Sequence, residues 1–372
     1  MSTFKTLGVS KTYIKSLKEL GIKEPTKIQE EAIPVLLGSK TDLVGLAQTG
    51  TGKTAAYGLP ALNVVDDSLP LVQVLILSPT RELVQQIKKQ LFKFTKYEVN
   101  KIFVEAVFGG EKIDKQIARL KRPTHIVVAT PGRLIDLIER KAIDIRNVKT
   151  LILDEADEML SMGFKHELTQ ILKYSNTTSN TWLFSATMPN DVRNIITTYL
   201  SKDAVTIEVN KHESVNSNIS HKYILTSVKN KFDTLVSILK MRGKSRAIIF
   251  SRTKLGAQKL AEELQEAGFS VGALEGDMQQ KERDKVMRAF KNESLQFLVS
   301  TDVSARGIDV NDLAFIIHHQ LPEQDQYYTH RSGRTARAGK KGDSIALIQP
   351  NELERVYALQ KALGIKFEED TV

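Results

Sequence analysis

Two short segments carry residue types that handle phosphate. The first is Ala47-Gln48-Thr49-Gly50-Thr51-Gly52-Lys53-Thr54. Glycine lets backbone N–H groups crowd around phosphate oxygens, and a helix starting at such a loop adds the partial positive charge of its N-terminus. In that arrangement Thr49, Gly50, Thr51 and Gly52 line a nucleotide, Lys53 reaches the β- and γ-phosphates, and the Thr54 hydroxyl ligates Mg2+. Ala47 stands where the usual pattern has glycine. The second segment, Asp154-Glu155-Ala156-Asp157, follows the apolar run Leu151-Ile152-Leu153. A carboxylate at a strand tip beside a phosphate loop is where a nucleoside triphosphatase holds its metal. Asp154 suits that task, and Glu155 suits a general base for the attacking water. An acidic run alone is usually a solvated cap. The preceding strand and the upstream phosphate loop argue against that here.

These segments need a scaffold, and the chain has the pattern of one. Apolar, Val/Ile/Leu-rich runs fall at residues 43–46, 72–77, 126–129, 151–153 and 182–184, then at 247–250, 271–274, 296–299, 315–318 and 344–347. Each reads as a strand buried on both faces. Charged amphipathic segments such as 254–266 and 283–290 lie between them, so the expectation is α/β, with βαβ units and a mostly parallel sheet built twice. The polar run at 210–218 marks the boundary. We expect one domain over residues 1–208, a linker over 209–220 and a second domain over 221–372.

Composition fits. A chain of 372 residues with 41% hydrophobic content suits two domains of ordinary size. Cysteine is absent, which excludes a disulfide framework and a thiolate metal site and accords with a reducing compartment. The opening residues lack the apolar run of a signal peptide, and no run is long enough to span a bilayer. The expectation is a soluble, cytoplasmic protein without membrane contact. A net charge of +9 suggests a polyanionic partner, though it does not by itself select nucleic acid.

Asp154 to Asp157 also spell the tetrapeptide that names the DEAD-box ATP-dependent RNA helicases, and from Phe4 to about Gly342 the chain resembles that family. The resemblance implies two tandem RecA-like domains, ATP and Mg2+ as cofactors, and RNA bound by its backbone. Residues 21–29, ending in Gln29, resemble the adenine-reading motif, with Phe4 as the aromatic that packs on the base. Ser185-Ala186-Thr187 resembles the motif that couples hydrolysis to strand separation, through Asp157. Thr80, Arg81, Gly109, Gly110, Thr130 and Arg133 resemble the first domain's RNA contacts, and Thr301 and Gly307 the second's. Asp309 matches the ribose contact. Arg334 and Arg337, in His330-Arg331-Ser332-Gly333-Arg334-Thr335-Ala336-Arg337, match the arginine fingers that neutralise γ-phosphate charge.

The chain departs from the family's pattern at several positions. Ala336 replaces a usual glycine, Ser332 an aliphatic residue or threonine, Glu275 a histidine and Leu255 a basic residue. His318-His319-Gln320 replaces an Asn-aromatic-Asp run. None of these removes a phosphate-handling group. The expected function is RNA-stimulated ATP hydrolysis coupled to local duplex opening by a monomeric core. The alternatives are an ATP-gated RNA clamp and a related DNA helicase.

Overall fold

The computed structural model describes residues 2–48, 50–174, 179–209, 218–305, 313–336 and 340–371. The chain divides into two compact units, Met1–Val209 and Asn210–Val372.

The first unit holds β1 (Leu43–Leu46), β2 (Val74–Leu77), β3 (Val104–Val107), β4 (Ile126–Ala129), β5 (Thr150–Leu153), β6 (Asn180–Ser185) and β7 (Val205–Glu208). They form a seven-stranded sheet in the order β3-β4-β2-β5-β6-β1-β7, with every pairing parallel. Helices cover both faces, which is why β2 and β4 are apolar at every position. Val74 and Ile76 of β2 join one hydrophobic cluster, and Leu75 and Leu77 join the other. Ile126/Val128 and Val127/Ala129 of β4 alternate in the same way.

The second unit repeats the plan with β8 (Ile219–Leu225), β9 (Ala247–Phe250), β10 (Val271–Leu274), β11 (Phe297–Ser300), β12 (Phe315–His318), β13 (Gly342–Ile348) and β14 (Phe367–Glu369). Their order is β10-β11-β9-β12-β13-β8-β14, again parallel throughout. Phe297 and Val299 of β11 face one cluster and Leu298 the other.

The apolar runs expected as strands are strands, with ends shifted by a residue or two. Strands β3, β7, β8 and β14 were not foreseen. Three of them lie at sheet edges, where one strand side faces no neighbour and polar residues are tolerated: Glu105 in β3, Thr206 and Glu208 in β7, Glu368 and Glu369 in β14. In β8 the apolar run is interrupted by Ser220, His221 and Lys222. That strand begins at Ile219, inside the expected linker, and residues 210–217 of the linker lie outside the described residues. Among the described residues no helix is long and apolar enough to cross a membrane.

Candidate active site

The phosphate loop leaves the carboxyl end of β1 and enters the helix Lys53–Asn63. Gly50 and Gly52 have φ values of +90° and +89°, a left-handed region that costs a residue with a Cβ about 1–2 kcal/mol. Gly52 has a second constraint: a Cβ there would lie 2.3 Å from Gln29 Nε2. Gln29 is buried, and its amide is used at both ends. Nε2 donates to the Gly52 carbonyl at 3.0 Å, and Oε1 accepts from the Thr26 N–H at 3.0 Å. Thr26 Oγ1 donates to the Thr51 carbonyl at 2.7 Å, so the helix Lys27–Gly38 grips the loop at two adjacent residues. Lys53 is 7% exposed, and its Nζ donates to the Ala47 carbonyl at 3.1 Å. Phe4 is buried in the unit's larger hydrophobic cluster.

Asp154 follows β5, two strands from β1 in the sheet order. Its Oδ2 accepts from the Tyr57 hydroxyl at 2.9 Å, whereas its buried Oδ1 has no hydrogen-bond partner among the described residues. Burial pushes the Asp154 carboxyl up, and the Lys53 ammonium and the Tyr57 hydrogen bond pull it back down. A buried carboxylate oxygen without a partner, beside an ammonium and at the start of a phosphate loop's helix, fits a divalent cation bound with a nucleotide. Glu155 holds φ +53°, a conformation that non-glycine residues adopt only when their surroundings enforce it.

Asp157 sits in the first turn of the helix Ala156–Ser161. Its Oδ2 accepts from the Thr187 N–H and hydroxyl, at 2.9 and 2.7 Å. The Ser185 hydroxyl accepts from the Asp157 N–H at 3.3 Å and donates to the Thr187 carbonyl at 2.7 Å. Among the described residues only Thr187 bonds the carboxylate; Ser185 bonds the backbone on either side.

The other polar residues singled out in this unit lie on the opposite flank of the same sheet edge. Thr80 follows β2 and caps the helix Arg81–Phe94, accepting from the Leu83 N–H. Thr130 follows β4 as the N-cap residue of the helix Pro131–Glu139. Arg81 Nη2 donates to the Gly109 carbonyl at 3.2 Å, and its guanidinium lies 5.3 Å from the Phe108 ring centroid. A Cβ on Gly110 would come within 2.7 Å of Arg81, so Gly110 admits the arginine. Arg133 Nη1 donates to the Glu111 carbonyl at 3.0 Å.

In the second unit Thr301 follows β11, and its hydroxyl donates to Ser304 Oγ at 3.1 Å. Arg334 lies just past the helix Asp325–Ser332, with Nε donating to the His330 carbonyl at 3.3 Å. Thr49, Gly307, Asp309 and Arg337 lie outside the described residues.

Sequence reasoning missed Tyr57 and Arg331. Tyr57 lies one helical turn after Thr54, a spacing that offered a weak clue. Arg331 is almost wholly buried and forms a two-pronged ion pair with Asp302, at 2.5 and 2.7 Å. It also donates to the Gln320 carbonyl at 2.8 Å. Nothing in a motif with three arginines says which one turns inward.

The chain matches two family models: "DEAD/DEAH box helicase" over residues 26–195 and "Helicase conserved C-terminal domain" over residues 230–339. It is 40% identical over 368 residues to a DEAD-box ATP-dependent RNA helicase CshA of Bacillus cereus, covering 99% of this chain and 69% of that protein. A protein of the same description from Geobacillus kaustophilus is 38% identical, with 99% and 78% covered. Among solved structures, S. cerevisiae Dbp5 bound to RNA and ADP BeF3 matches with a TM-score of 0.90 at 30% identity, covering 100% of this chain and 96% of that one. Mss116p bound to ssRNA and AMP-PNP matches with a TM-score of 0.88 at 29% identity, covering 100% and 80%.

Proposed function

This chain belongs to the DEAD-box family of ATP-dependent RNA helicases, and from that premise we propose that it couples RNA-stimulated ATP hydrolysis to local opening or remodelling of RNA duplexes. One observation carries the reading: the strand order of the first sheet separates two sets of residues along one edge. The carboxyl ends of β5, β6 and β1 carry Asp154 to Asp157, Ser185 to Thr187 and the phosphate loop. The carboxyl ends of β3, β4 and β2 carry Gly109 and Gly110, Thr130 and Arg133, and Thr80 and Arg81. Neighbouring strands are about 4.8 Å apart, so an ATP flank and an RNA flank adjoin at the β2–β5 boundary.

On the ATP flank, Lys53 turns from the Ala47 carbonyl to the β- and γ-phosphates. Gln29 keeps its hold on Gly52 and offers its second amide hydrogen and second oxygen lone pair to the adenine edge. Thr54 and Asp154 hold Mg2+, which neutralises phosphate charge when bound. Glu155 orients and deprotonates the water that attacks the γ-phosphorus as ADP leaves.

The RNA flank binds backbone. Arg81 and Arg133 meet phosphate charge, the threonine hydroxyls meet phosphate oxygens, and binding is sequence-independent and salt-sensitive. Arg334 and Arg337 come from the second unit, as do Thr301, Gly307 and the ribose contact Asp309. Turnover therefore waits until both units engage the same ATP and RNA, and each ligand tightens the other.

Glu155→Gln tests this reading. The variant keeps the side chain's shape and removes the base, so it is expected to retain ATP and RNA together in a long-lived complex and to lose hydrolysis by roughly a hundredfold or more. Normal turnover in Glu155→Gln removes Glu155 from the chemistry. Failure to retain RNA with ATP removes the coupling.

A further inference from the structure

Tyr57 is fully buried on the helix Lys53–Asn63, one turn beyond Thr54. Its ring packs against Phe184, with centroids 5.3 Å apart and planes at 52°. A phenol ring has only two side-chain torsions, so this packing fixes where its hydroxyl points. The hydroxyl donates to Asp154 Oδ2 at 2.9 Å. The phenol of the helix after β1 therefore reaches the carboxylate at the tip of β5, from a position one turn along from Thr54. A buried tyrosine that only needed a partner for its O–H could take any nearby carbonyl. Here it occupies one oxygen of a buried carboxylate whose other oxygen, Oδ1, has no partner among the described residues.

We propose that Tyr57 is a positioning residue for divalent-cation capture: by tying down Asp154 Oδ2 it presents Oδ1 alone to the cation's shell. The inference rests on the cation roles proposed for Thr54 and Asp154. It predicts that cation affinity and nucleotide affinity are separable at this residue.

Tyr57→Phe removes one oxygen and keeps the packed ring, and its melting temperature is measured alongside to confirm that the fold is kept. Mn2+ is titrated by electron paramagnetic resonance into the full chain with bound ADP, for the unsubstituted protein, Tyr57→Phe and Asp154→Asn. Removing an outer hydrogen bond to a metal ligand typically costs about tenfold or more in metal affinity, and that loss is expected for Tyr57→Phe. ADP binding measured with chelator present is expected to match the unsubstituted protein. The Mg2+ concentration for half-maximal ATPase activity is expected to rise about tenfold, with the rate recovered at saturating Mg2+. Unchanged Mn2+ affinity in Tyr57→Phe beside a weakened Asp154→Asn overturns the role of Tyr57 alone. Unchanged affinity in both variants overturns the Asp154 site, and the inference with it.

Discussion

Thr187 holds Asp157 twice, its backbone N–H and its hydroxyl both donating to Oδ2 at 2.9 and 2.7 Å. The segment after β6 is thereby fastened to the segment after β5, and the only carboxylate oxygen left over, Oδ1, is buried without a partner among the described residues. Thr187→Val keeps the side chain's shape and the N–H but loses the hydroxyl. A hydrogen bond to a charged group contributes about 1.5–3 kcal/mol, so duplex opening is expected to fall about tenfold or more. RNA-stimulated ATP hydrolysis is expected to persist. The measurement is ATP consumed per duplex opened; an equal fall in both rates places the pair in hydrolysis rather than in coupling.

Gln29 holds the phosphate loop through Gly52 as well as being the proposed adenine reader. Gln29→Ala loses both functions and is expected to raise the KM for ATP roughly tenfold, one neutral hydrogen bond being about 1 kcal/mol and the loop losing its anchor besides. Comparing ATP with GTP in the unsubstituted protein checks the base-reading part. If GTP supports hydrolysis equally well, Gln29 acts on the loop alone.

The second unit carries a buried polar network with a pH consequence. His318 stacks on Tyr328 with ring centroids 4.6 Å apart, and its Nε2 meets Ser344 Oγ at 3.0 Å. His221 Nδ1 meets the Tyr328 hydroxyl at 2.7 Å. Arg331 lies against His318 at 3.3 Å. Burial lowers the His221 pKa to about 4, and burial, with the Arg331 charge second, holds His318 well below its usual value. Above about pH 6.5 both imidazoles are neutral whether the chain is folded or not. Below it the unfolded chain takes up protons that the folded unit refuses, so stability falls as pH drops from 6.5 toward 4. For His221 this amounts to about 1 kcal/mol at pH 5.5. Melting temperatures between pH 7.5 and 5.5 are expected to fall less steeply in His318→Asn than in the unsubstituted protein. Identical slopes would show that His318 does not titrate on unfolding.

Ala336 has φ +55°, at a position where the family usually has glycine. The left-handed conformation costs a Cβ-bearing residue about 1–2 kcal/mol, and glycine's greater freedom in the unfolded chain offsets about 0.4–1 kcal/mol of that. Ala336→Gly is therefore expected to raise the melting temperature by a few degrees. A lower melting temperature would mean the alanine is held there without strain.

Much of this was legible before the structure. The Val/Ile/Leu runs located the central strands because those strands are covered on both faces, and a phosphate loop after β1 with a carboxylate after β5 follows from where parallel sheets place their loops. Strands β3, β7 and β14 were missed because edge positions admit Glu and Thr, and β8 because Ser220, His221 and Lys222 interrupt its apolar run. The bonds from Gln29 to Gly52 and from Tyr57 to Asp154 were illegible for another reason. Each joins residues far apart in sequence: the sheet order brings Tyr57 to Asp154, and the packing of the helix Lys27–Gly38 on the phosphate loop brings Gln29 to Gly52. The inward turn of Arg331 onto Asp302 likewise depends on packing around β9 and β12, which the motif does not encode.

The central claim is that RNA gates ATP hydrolysis through residues of both units. Steady-state ATPase activity is measured for the unsubstituted chain and Arg334→Ala with no nucleic acid, with single-stranded RNA and with single-stranded DNA of the same sequence. The account predicts low basal activity, strong stimulation by RNA but not DNA, and loss of that stimulation in Arg334→Ala with ATP binding retained. Hydrolysis indifferent to RNA, equal stimulation by DNA, or full RNA stimulation in Arg334→Ala would contradict it.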